Sequence, residues 1–312
     1  MMEKLLKEYY GIEITTILSQ KGGWASLAYK VINHDQSYFL KVYEKSRAST
    51  PKLTERIDEY VPIMEWLIRN GGLNGKTSTP ILTKGGDYKC EDDNGVYLLY
   101  DYIEGDTIGH QELTENQIYQ LSDIIANLHL YGEEIPVNTD SIKEDFHVPF
   151  LPLLRRISNQ ESKNLPDDLR KVVCPYIDQI NDLVDTVVSL AQHLKSSHIR
   201  MALCHTDLHN WNLMQSKQQL MLIDWEGLKI APVEADLMFL VDKPYYDIFL
   251  RIYKEVHGNF KLNPDALHFY QGRRKLEDIG EFIEQLLFDS LSQEERVVAI
   301  NYLKEELRNI IR

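Results

Sequence analysis

Two short polar segments in the C-terminal half of the sequence carry side chains that suit one type of chemistry. Residues 205–212 read HTDLHNWN, and residues 222–226 read LIDWE. In phosphoryl transfer, a carboxylate orients the acceptor hydroxyl and accepts its proton, and oxygen ligands hold the divalent cations that bridge the phosphates. Asp207, Asn212 and Asp224 supply a carboxylate, an amide and a second carboxylate in that order. These residue types predict phosphoryl transfer, in which positioning and charge neutralisation provide most of the catalysis.

The same residue types also occur in ordinary solvated loops, because Asp and Asn favour turns. Here each polar segment comes just after a short apolar run, Met201–Leu203 or Leu220–Ile223. The spacing H-x-D-x4-N, followed by an Asp at the end of an apolar run, is the pattern of a kinase catalytic loop. The sequence contains no G-x-S-x-G or HExxH motif, so it does not support a serine hydrolase or a zinc protease of those types.

The two segments resemble the aminoglycoside phosphotransferase family and its choline-kinase-like relatives. Residues 231–239, which read APVEADLMF, and residues 276–279, which read LEDI, resemble spectinomycin phosphotransferases in particular. The family often has a glycine after the first His and a Pro-Gly before the Asn. This sequence has Thr206 and Asn210-Trp211 at those positions, and it keeps the base and metal positions intact.

The resemblance implies a role for each polar residue of this region. Asp207 is expected to be the catalytic base, and Asn212 and Asp224 are expected to hold magnesium. His205 is expected to brace the loop through hydrogen bonds. Asp236 is expected to fix the backbone of the segment that follows it.

The resemblance also implies a nucleotide site in the N-terminal part of the chain. Lys41, in the run YFLKV, occupies the position of a phosphate-binding lysine on the third strand, although a strand lysine also commonly points to solvent. Its expected partner is a glutamate of the next helix. Glu59 is the first candidate and Glu55, one turn earlier, is the second.

Two further segments are expected to contact the nucleotide. Gly22, Gly23 and Ser26 lie in a loop that would cover the phosphates with backbone N–H groups, or that forms an ordinary hairpin turn. The segment YDYIEG resembles the hinge between two lobes. There the Asp101 carbonyl and the Ile103 N–H would bind the edge of the adenine.

The elements that must position these residues begin with strands. Runs at Ile12–Leu18, Ala25–Ile32 and Ser37–Tyr43 are rich in aromatic and β-branched residues and are separated by turn residues. Their close spacing predicts an antiparallel meander. Two more strands are expected, one around Tyr88 and one at Val96–Ile103.

Helices dominate the rest of the chain. Apolar residues in Leu53–Arg69 repeat at helical spacing, and Pro62 indicates either a start near Asp58 or a kink. Further helices are predicted after the capping-box sequence that begins at Thr114, at Asp178–Leu194 and at Leu276–Leu287. The predicted fold class is α+β, a protein-kinase-like two-lobe fold. A small antiparallel β-sheet lobe would span residues 1–104, and a larger, mainly helical lobe would span residues 105–312.

Composition limits the possible partners. The chain has 34 Lys plus Arg against 48 Asp plus Glu, a formal net charge of -14, so nucleic-acid and membrane binding are disfavoured and a cationic substrate is suited. Three scattered cysteines form no zinc motif and no disulfide framework. Without a signal sequence or a long apolar run, the chain is expected to be cytoplasmic, as a monomer or a homodimer.

These patterns together predict an ATP- and Mg2+-dependent phosphotransferase that acts on a hydroxyl of a small molecule, an aminoglycoside or aminocyclitol antibiotic by resemblance. Glu226 is a candidate to pair with substrate ammonium groups. Choline, homoserine, methylthioribose or a macrolide is an alternative acceptor, and GTP is an alternative donor. A protein substrate is disfavoured, since no Ala-Pro-Glu sequence follows Asp224. A catalytically idle scaffold is also disfavoured, because Lys41, Asp207, Asn212 and Asp224 are all present.

Overall fold

A five-stranded antiparallel sheet forms the N-terminal part of the molecule. The computed structural model describes residues 2–20, 26–34, 36–159 and 164–310. Neighbouring strands pair in the order β1-β2-β3-β5-β4. The strands are β1 (Thr16–Gln20), β2 (Leu27–Asn33), β3 (Gln36–Glu44), β4 (Cys90–Glu91) and β5 (Gly95–Asp101). The predicted antiparallel meander is therefore confirmed.

The first strand begins later than predicted, because the residues before it pack instead of pairing. Ile12 and Ile14 lie against the core of the sheet, and Thr15 bonds to the Ile32 carbonyl just before β1 starts. Helix α1 (Met2–Tyr10) adds the buried Leu5 and Leu6 to the same core.

Strand β3 is buried on both faces along its second half, and this arrangement positions Lys41. Leu40 and Val42 point into the core that α1 covers. Because side chains alternate along a strand, Lys41 and Tyr43 point together to the opposite face. Both of these side chains are also buried.

The helix predicted at Leu53–Arg69 is divided into two. Helix α2 (Thr50–Thr54) is one short turn, and α3 (Ile57–Asn70) begins one residue before Asp58, which confirms the alternative of a late start. Pro62 lies in the second turn of α3, where its missing N–H removes one intrahelical bond.

Five short strands frame the two polar segments of the C-terminal half. Strand β7 (Met201–Cys204) pairs with β10 (Lys229–Pro232), and β6 (Asp106–Thr107), β8 (Leu213–Ser216) and β9 (Gln219–Leu222) form a second small sheet. Residues 205–212 therefore join β7 to β8. Residues 223–228 likewise join β9 to β10.

Helices α4 (Glu115–Leu128), α8 (Glu234–Leu237) and α9 (Tyr246–His257) belong with these strands. Thr114 and Gln117 form the predicted capping box of α4. Among the described residues, no helix combines the length and the apolar character needed to cross a lipid bilayer.

The chain divides into two compact units. The first contains Met1–Lys45, Thr50–Lys143 and Met201–Lys261, and the second contains Ser46–Ser49, Glu144–Arg200 and Leu262–Arg312. The helices of the second unit are α5 (Leu151–Asn159), α6 (Asp167–Val173), α7 (Ile177–Lys195), α10 (Pro264–Phe288) and α11 (Gln293–Asn309). The lobe boundary at residues 104 and 105 stays a prediction.

Candidate active site

The catalytic carboxylate predicted from the sequence is held by the predicted amide. The side-chain N–H groups of Asn212 donate to the Asp207 carboxylate at 2.8 Å and to its main-chain carbonyl at 2.9 Å. His209 Nε2 lies 3.3 Å from the same carboxylate oxygen. Asp207 keeps 31% of its side chain exposed, so part of this carboxylate is accessible to solvent.

Asp224 lies beside this loop because hydrogen bonds join the two polar segments. The Ile223 N–H donates to the Asn212 carbonyl at 3.0 Å, and His205 Nε2 donates to the Ile223 carbonyl at 2.9 Å. The Asp207 N–H donates to the other ring nitrogen of His205 at 3.3 Å. His205 thus has contacts suited to the bracing role that the resemblance implied.

The donor set fits a magnesium ion. Asn212 directs its amide nitrogen to Asp207, which leaves its amide oxygen as the atom to bind a cation. Asp224 has a positive φ of 63° and a side chain that is 41% exposed. Oxygen ligands with solvent access are what Mg2+ requires, since it retains several waters.

Asp236 binds the main chain at the start of the loop that carries Asp207. Its buried carboxylate accepts hydrogen bonds from the main-chain N–H groups of His205 at 3.0 Å and Thr206 at 2.5 Å. The sequence predicted that Asp236 would fix the segment after it. Its backbone contacts run instead to the loop that precedes it, because β10 lies against β7 and brings residue 236 under the start of that loop.

A buried histidine extends this support into the helices. His129, at the end of α4, donates from Nε2 to Asp236 at 3.0 Å, and its Nδ1 lies 2.9 Å from the Tyr253 hydroxyl. Cys204 completes a group of ligand-type side chains, but its thiol lies 3.6 Å from the carbonyls of Ala231 and Pro232. Since hydrogen bonds engage each of these side chains, the group acts as a brace. The signal in the sequence that could have indicated this support was His129, a histidine at the end of an amphipathic helix.

Lys41 is buried between two carboxylates. Its ammonium group donates to Asp224 at 2.9 Å and to Glu226 at 2.5 Å, and the Tyr43 hydroxyl also donates to Glu226. Burial alone would lower the pKa of Lys41, but Asp224 and Glu226 outweigh it and raise the pKa well above the ordinary value. Burial opposes ionisation of Glu226 as well, yet Lys41 lowers the pKa of this carboxyl. Both directions describe a charged pair.

The glutamates predicted to pair with Lys41 lie elsewhere. Glu59 and Glu55 are exposed, and the described partners of Lys41 are Asp224 and Glu226. Helix α3 starts too late to include Glu55 and turns Tyr60, which is buried, inward in place of Glu59. Glu226, a predicted substrate contact, has only 14% of its side chain exposed.

Tyrosines around the lysine were not recognised from the sequence. Burial raises the pKa values of Tyr43, Tyr60 and Tyr100 well above the ordinary value, and Glu226 adds to the rise in each case. Tyr43 follows Lys41 by two residues on a strand, so alternation was the signal that would have placed it on the same face.

The remaining nucleotide predictions concern two segments next to β2 and β5, of which the structure describes only part. Gly22 and Gly23 lie outside the described residues, and Ser26 is buried directly before β2. Asp101 ends β5, opposite Tyr38, and Ile103 follows in the connection to β6. Their contacts with a nucleotide stay predictions.

Comparison with solved structures relates this fold to small-molecule kinases. A spectinomycin phosphotransferase in complex with ADP and spectinomycin superimposes with a TM-score of 0.76 at 22% identity, covering 99% of this chain and 96% of that chain. An aminopropanol kinase associated with a microcompartment has a TM-score of 0.65 at 13% identity, with 100% and 96% covered. Choline kinase LicA from Streptococcus pneumoniae has a TM-score of 0.62 at 14% identity, with 99% and 98% covered.

Comparison at the level of sequence gives the family. A search among curated proteins found no match. The model of the family described as "Phosphotransferase enzyme family" matches residues 16–270. This match and the shared fold confirm the predicted kinase-like fold class and the prediction of a phosphotransferase. The matched residues make up most of the sequence, and the chain therefore belongs to the phosphotransferase enzyme family.

Proposed function

We propose that this enzyme transfers the γ-phosphate of ATP to a hydroxyl group of a small, positively charged molecule, and that an aminoglycoside or aminocyclitol is the acceptor. One observation supports the reaction above all others. Asp207, Asn212, Asp224 and Lys41 come from three separate segments of the chain, and hydrogen bonds join them into one site in the first compact unit.

Each side chain has a task in this reaction. Asp207 orients the acceptor hydroxyl and accepts its proton as the phosphoryl group transfers. Asn212 and Asp224 hold Mg2+, which when bound neutralises negative charge on the phosphate oxygens. Lys41 donates to the phosphates of the nucleotide. Asp236 and His205 keep the loop in place, so the working groups need not rearrange during the reaction.

The charge of the chain supports a cationic acceptor. A net charge of -14 attracts ammonium groups to the protein, and aminoglycosides and aminocyclitols carry such groups. The similarity to a spectinomycin phosphotransferase, an enzyme whose structure holds an aminocyclitol, supports the same acceptor class. Homoserine, methylthioribose and macrolides remain in the acceptor panel described below.

An exposed tryptophan supports a second acceptor class, small amino alcohols such as choline. Trp211 lies in the catalytic loop next to Asn212, and 52% of it is exposed. His110 contacts its ring edge to face, with centroids 5.0 Å apart. An open indole face binds quaternary ammonium groups through cation–π attraction. The structural similarity to choline kinase and aminopropanol kinase supports the same class.

A cytoplasmic location is part of this proposal, because ATP is abundant there and the described cysteines, Cys90, Cys174 and Cys204, are not joined by disulfide bonds.

Release of ADP from ATP by the purified protein tests the proposal. The assay needs Mg2+ and a panel of spectinomycin, aminoglycosides, macrolides, choline, aminopropanol, homoserine and methylthioribose. One acceptor class should stimulate ADP release, and Asp207→Ala should reduce turnover by roughly 100-fold to 10,000-fold, the usual contribution of a general base.

Asp242→Asn is the matched control, because Asp242 is an exposed acid in the same compact unit and should keep full activity. Full turnover by Asp207→Ala would remove Asp207 from the role of base. Binding of ATP without stimulation by any acceptor would favour the idle scaffold. A protein that binds no nucleotide would contradict the proposed function itself.

A further inference from the structure

The two carboxylates that contact Lys41 differ in their access to solvent. Asp224 is 41% exposed, whereas Glu226 is 14% exposed and Lys41 is 10% exposed. A carboxylate that binds a hydrated cation must be reachable, and one that only orients a buried lysine need not be. The exposures therefore assign Asp224 to the cation and Glu226 to the lysine.

Glu226 is also held more firmly than Asp224. One oxygen, Oε1, accepts hydrogen bonds from both Lys41 and Tyr43, which project from the same face of β3. Two donors on one rigid strand restrict where this carboxylate can lie. When a cation occupies the Asp224 carboxylate, Lys41 still has Glu226 as a fixed anionic partner.

Helix α3 provides no acid to replace it. Its inward-facing residue near the lysine is Tyr60, which is buried. Glu59 lies one position earlier and is exposed. The side chain that α3 contributes to this cluster is thus a phenol instead of a carboxylate.

We propose that Glu226, rather than a glutamate of α3, is the positioning residue that holds Lys41 in place for the nucleotide phosphates. The proposal rests on the proposed function, since it assumes that Lys41 contacts those phosphates. In this assignment, the partner of Lys41 comes from the segment after β9, whereas the sequence predicted a partner on the helix after β3. Glu226 and Asp224 then act as a pair within that segment, one for the lysine and one for the cation.

A double-mutant cycle on ATP binding tests this assignment. The variants are Lys41→Met, Glu226→Gln and the double variant, with dissociation constants measured by calorimetry with and without Mg2+. Glu226→Gln should weaken binding of metal-free ATP by about tenfold, a usual effect for a hydrogen bond to a charged group. In the Lys41→Met background, Glu226→Gln should change the dissociation constant for ATP by less than about twofold, because Glu226 affects ATP binding through the lysine.

Three further variants make the result specific. Glu59→Gln, combined with Lys41→Met in a second cycle, tests the alternative partner on α3. It should show no coupling with Lys41. Glu91→Gln is a charge-matched control on the sheet that carries Lys41, since Glu91 pairs with Lys45 at the surface. Tyr43→Phe removes one hydrogen bond to Glu226 and should weaken ATP binding in the same direction by a smaller factor, which keeps the test usable if Glu226→Gln does not fold.

Each outcome separates the two proposals. Effects of Lys41→Met and Glu226→Gln that simply multiply, or coupling between Lys41 and Glu59, would overturn the assignment of Glu226. Loss of binding by Glu226→Gln only when Mg2+ is present would make it a cation ligand and overturn it too. A wild-type protein that binds no ATP would instead refute the proposed function.

Discussion

Each compact unit of this protein contains a buried cation paired with a carboxylate and a tyrosine, yet the two clusters differ in one respect. In the second unit, Arg273 donates to Glu144 at 2.8 Å, and the Tyr270 hydroxyl donates to the same carboxylate at 3.1 Å. In the first unit, Lys41 and Tyr43 donate to Glu226 in a similar way. Among the described residues of these two clusters, a carboxylate that is 41% exposed, that of Asp224, lies in the first cluster.

The difference lies in how far each cluster is accessible to solvent. The cluster around Arg273 is more enclosed, because Glu277 also accepts a hydrogen bond from Arg273 and the main-chain N–H of Phe146 donates to the buried Glu144. Burial alone would lower the pKa of Arg273, but Glu277 and Glu144 outweigh it and raise the pKa. A buried ion pair by itself is thus compatible with a purely structural role. Under the proposed function, the adjacent accessible carboxylate of Asp224 is the feature that would let the Lys41 cluster take part in phosphoryl transfer.

The largest effect is expected from opening the cluster around Arg273. Arg273→Met keeps a long apolar side chain but leaves Glu144 buried without its cation, which costs about 3–5 kcal/mol of unfolding free energy. Urea unfolding measures this loss. The exposed Arg308, also in the second unit, provides the control Arg308→Met, which should change stability by less than about 0.5 kcal/mol. Equal stability of the two variants would show that the Arg273 cluster is not a structural joint.

A smaller effect is expected from the contact between Thr206 and Gly227, which joins the two polar segments near the Lys41 cluster. Thr206 has a positive φ of 68°, and its hydroxyl donates to the Gly227 carbonyl at 2.8 Å. A Cβ on Gly227 would lie 2.4 Å from that hydroxyl oxygen and 3.0 Å from the His205 carbonyl. Gly227→Ala should therefore separate the base from the cation ligands, lower kcat and cost about 1–3 kcal/mol of stability.

Variants of the threonine show whether its hydroxyl is the cause. Thr206→Val removes the hydrogen bond and should cost about 1 kcal/mol, whereas Thr206→Ser keeps the bond and should retain kcat. The measurements are kcat for ADP release and urea unfolding. If Val and Ser at this position behave alike, the hydroxyl does not join the two segments.

The smallest effect is a pH dependence in the second unit. Burial raises the pKa of Asp278 to about 7, Arg274 opposes this rise, and Glu306 and Glu281 add to it. An unfolded chain titrates this group near about 3.9, so the folded protein retains a proton that the unfolded chain has lost between about pH 4 and pH 7. The contribution is fully present below about pH 4 and is lost as the pH rises through about 7.

Asp278→Asn isolates this contribution. The wild type should lose stability between about pH 5 and about pH 8 relative to the variant, as measured by urea midpoints at both values. The effect is expected to be modest, because water reaches part of the side chain and Arg274 compensates for the charge. An identical pH dependence in both proteins would contradict the raised pKa.

Local patterns were sufficient for much of this architecture. The strand runs separated by turn residues predicted the antiparallel meander, and Thr114 with Gln117 predicted the start of α4, because each rests on neighbours within a few residues. Boundaries were less predictable. Ile12 and Ile14 look like strand residues, but they pack against the core shared by α1 and the sheet, and β1 begins only at Thr16.

The sequence by itself determined the phosphotransferase family and the loops that carry the candidate site residues, because Asp207 and Asn212 lie on one short loop and Asp224 follows the next hairpin. Spacing alone brings such residues together. Only the tertiary structure decided the partner of Lys41 and the loop that Asp236 holds. Lys41 and Glu226 are 185 positions apart, and Asp236 bonds to residues 30 and 31 positions earlier. Contacts of this kind depend on how β3, β7, β9 and β10 pack, and packing involves the whole chain rather than any local pattern.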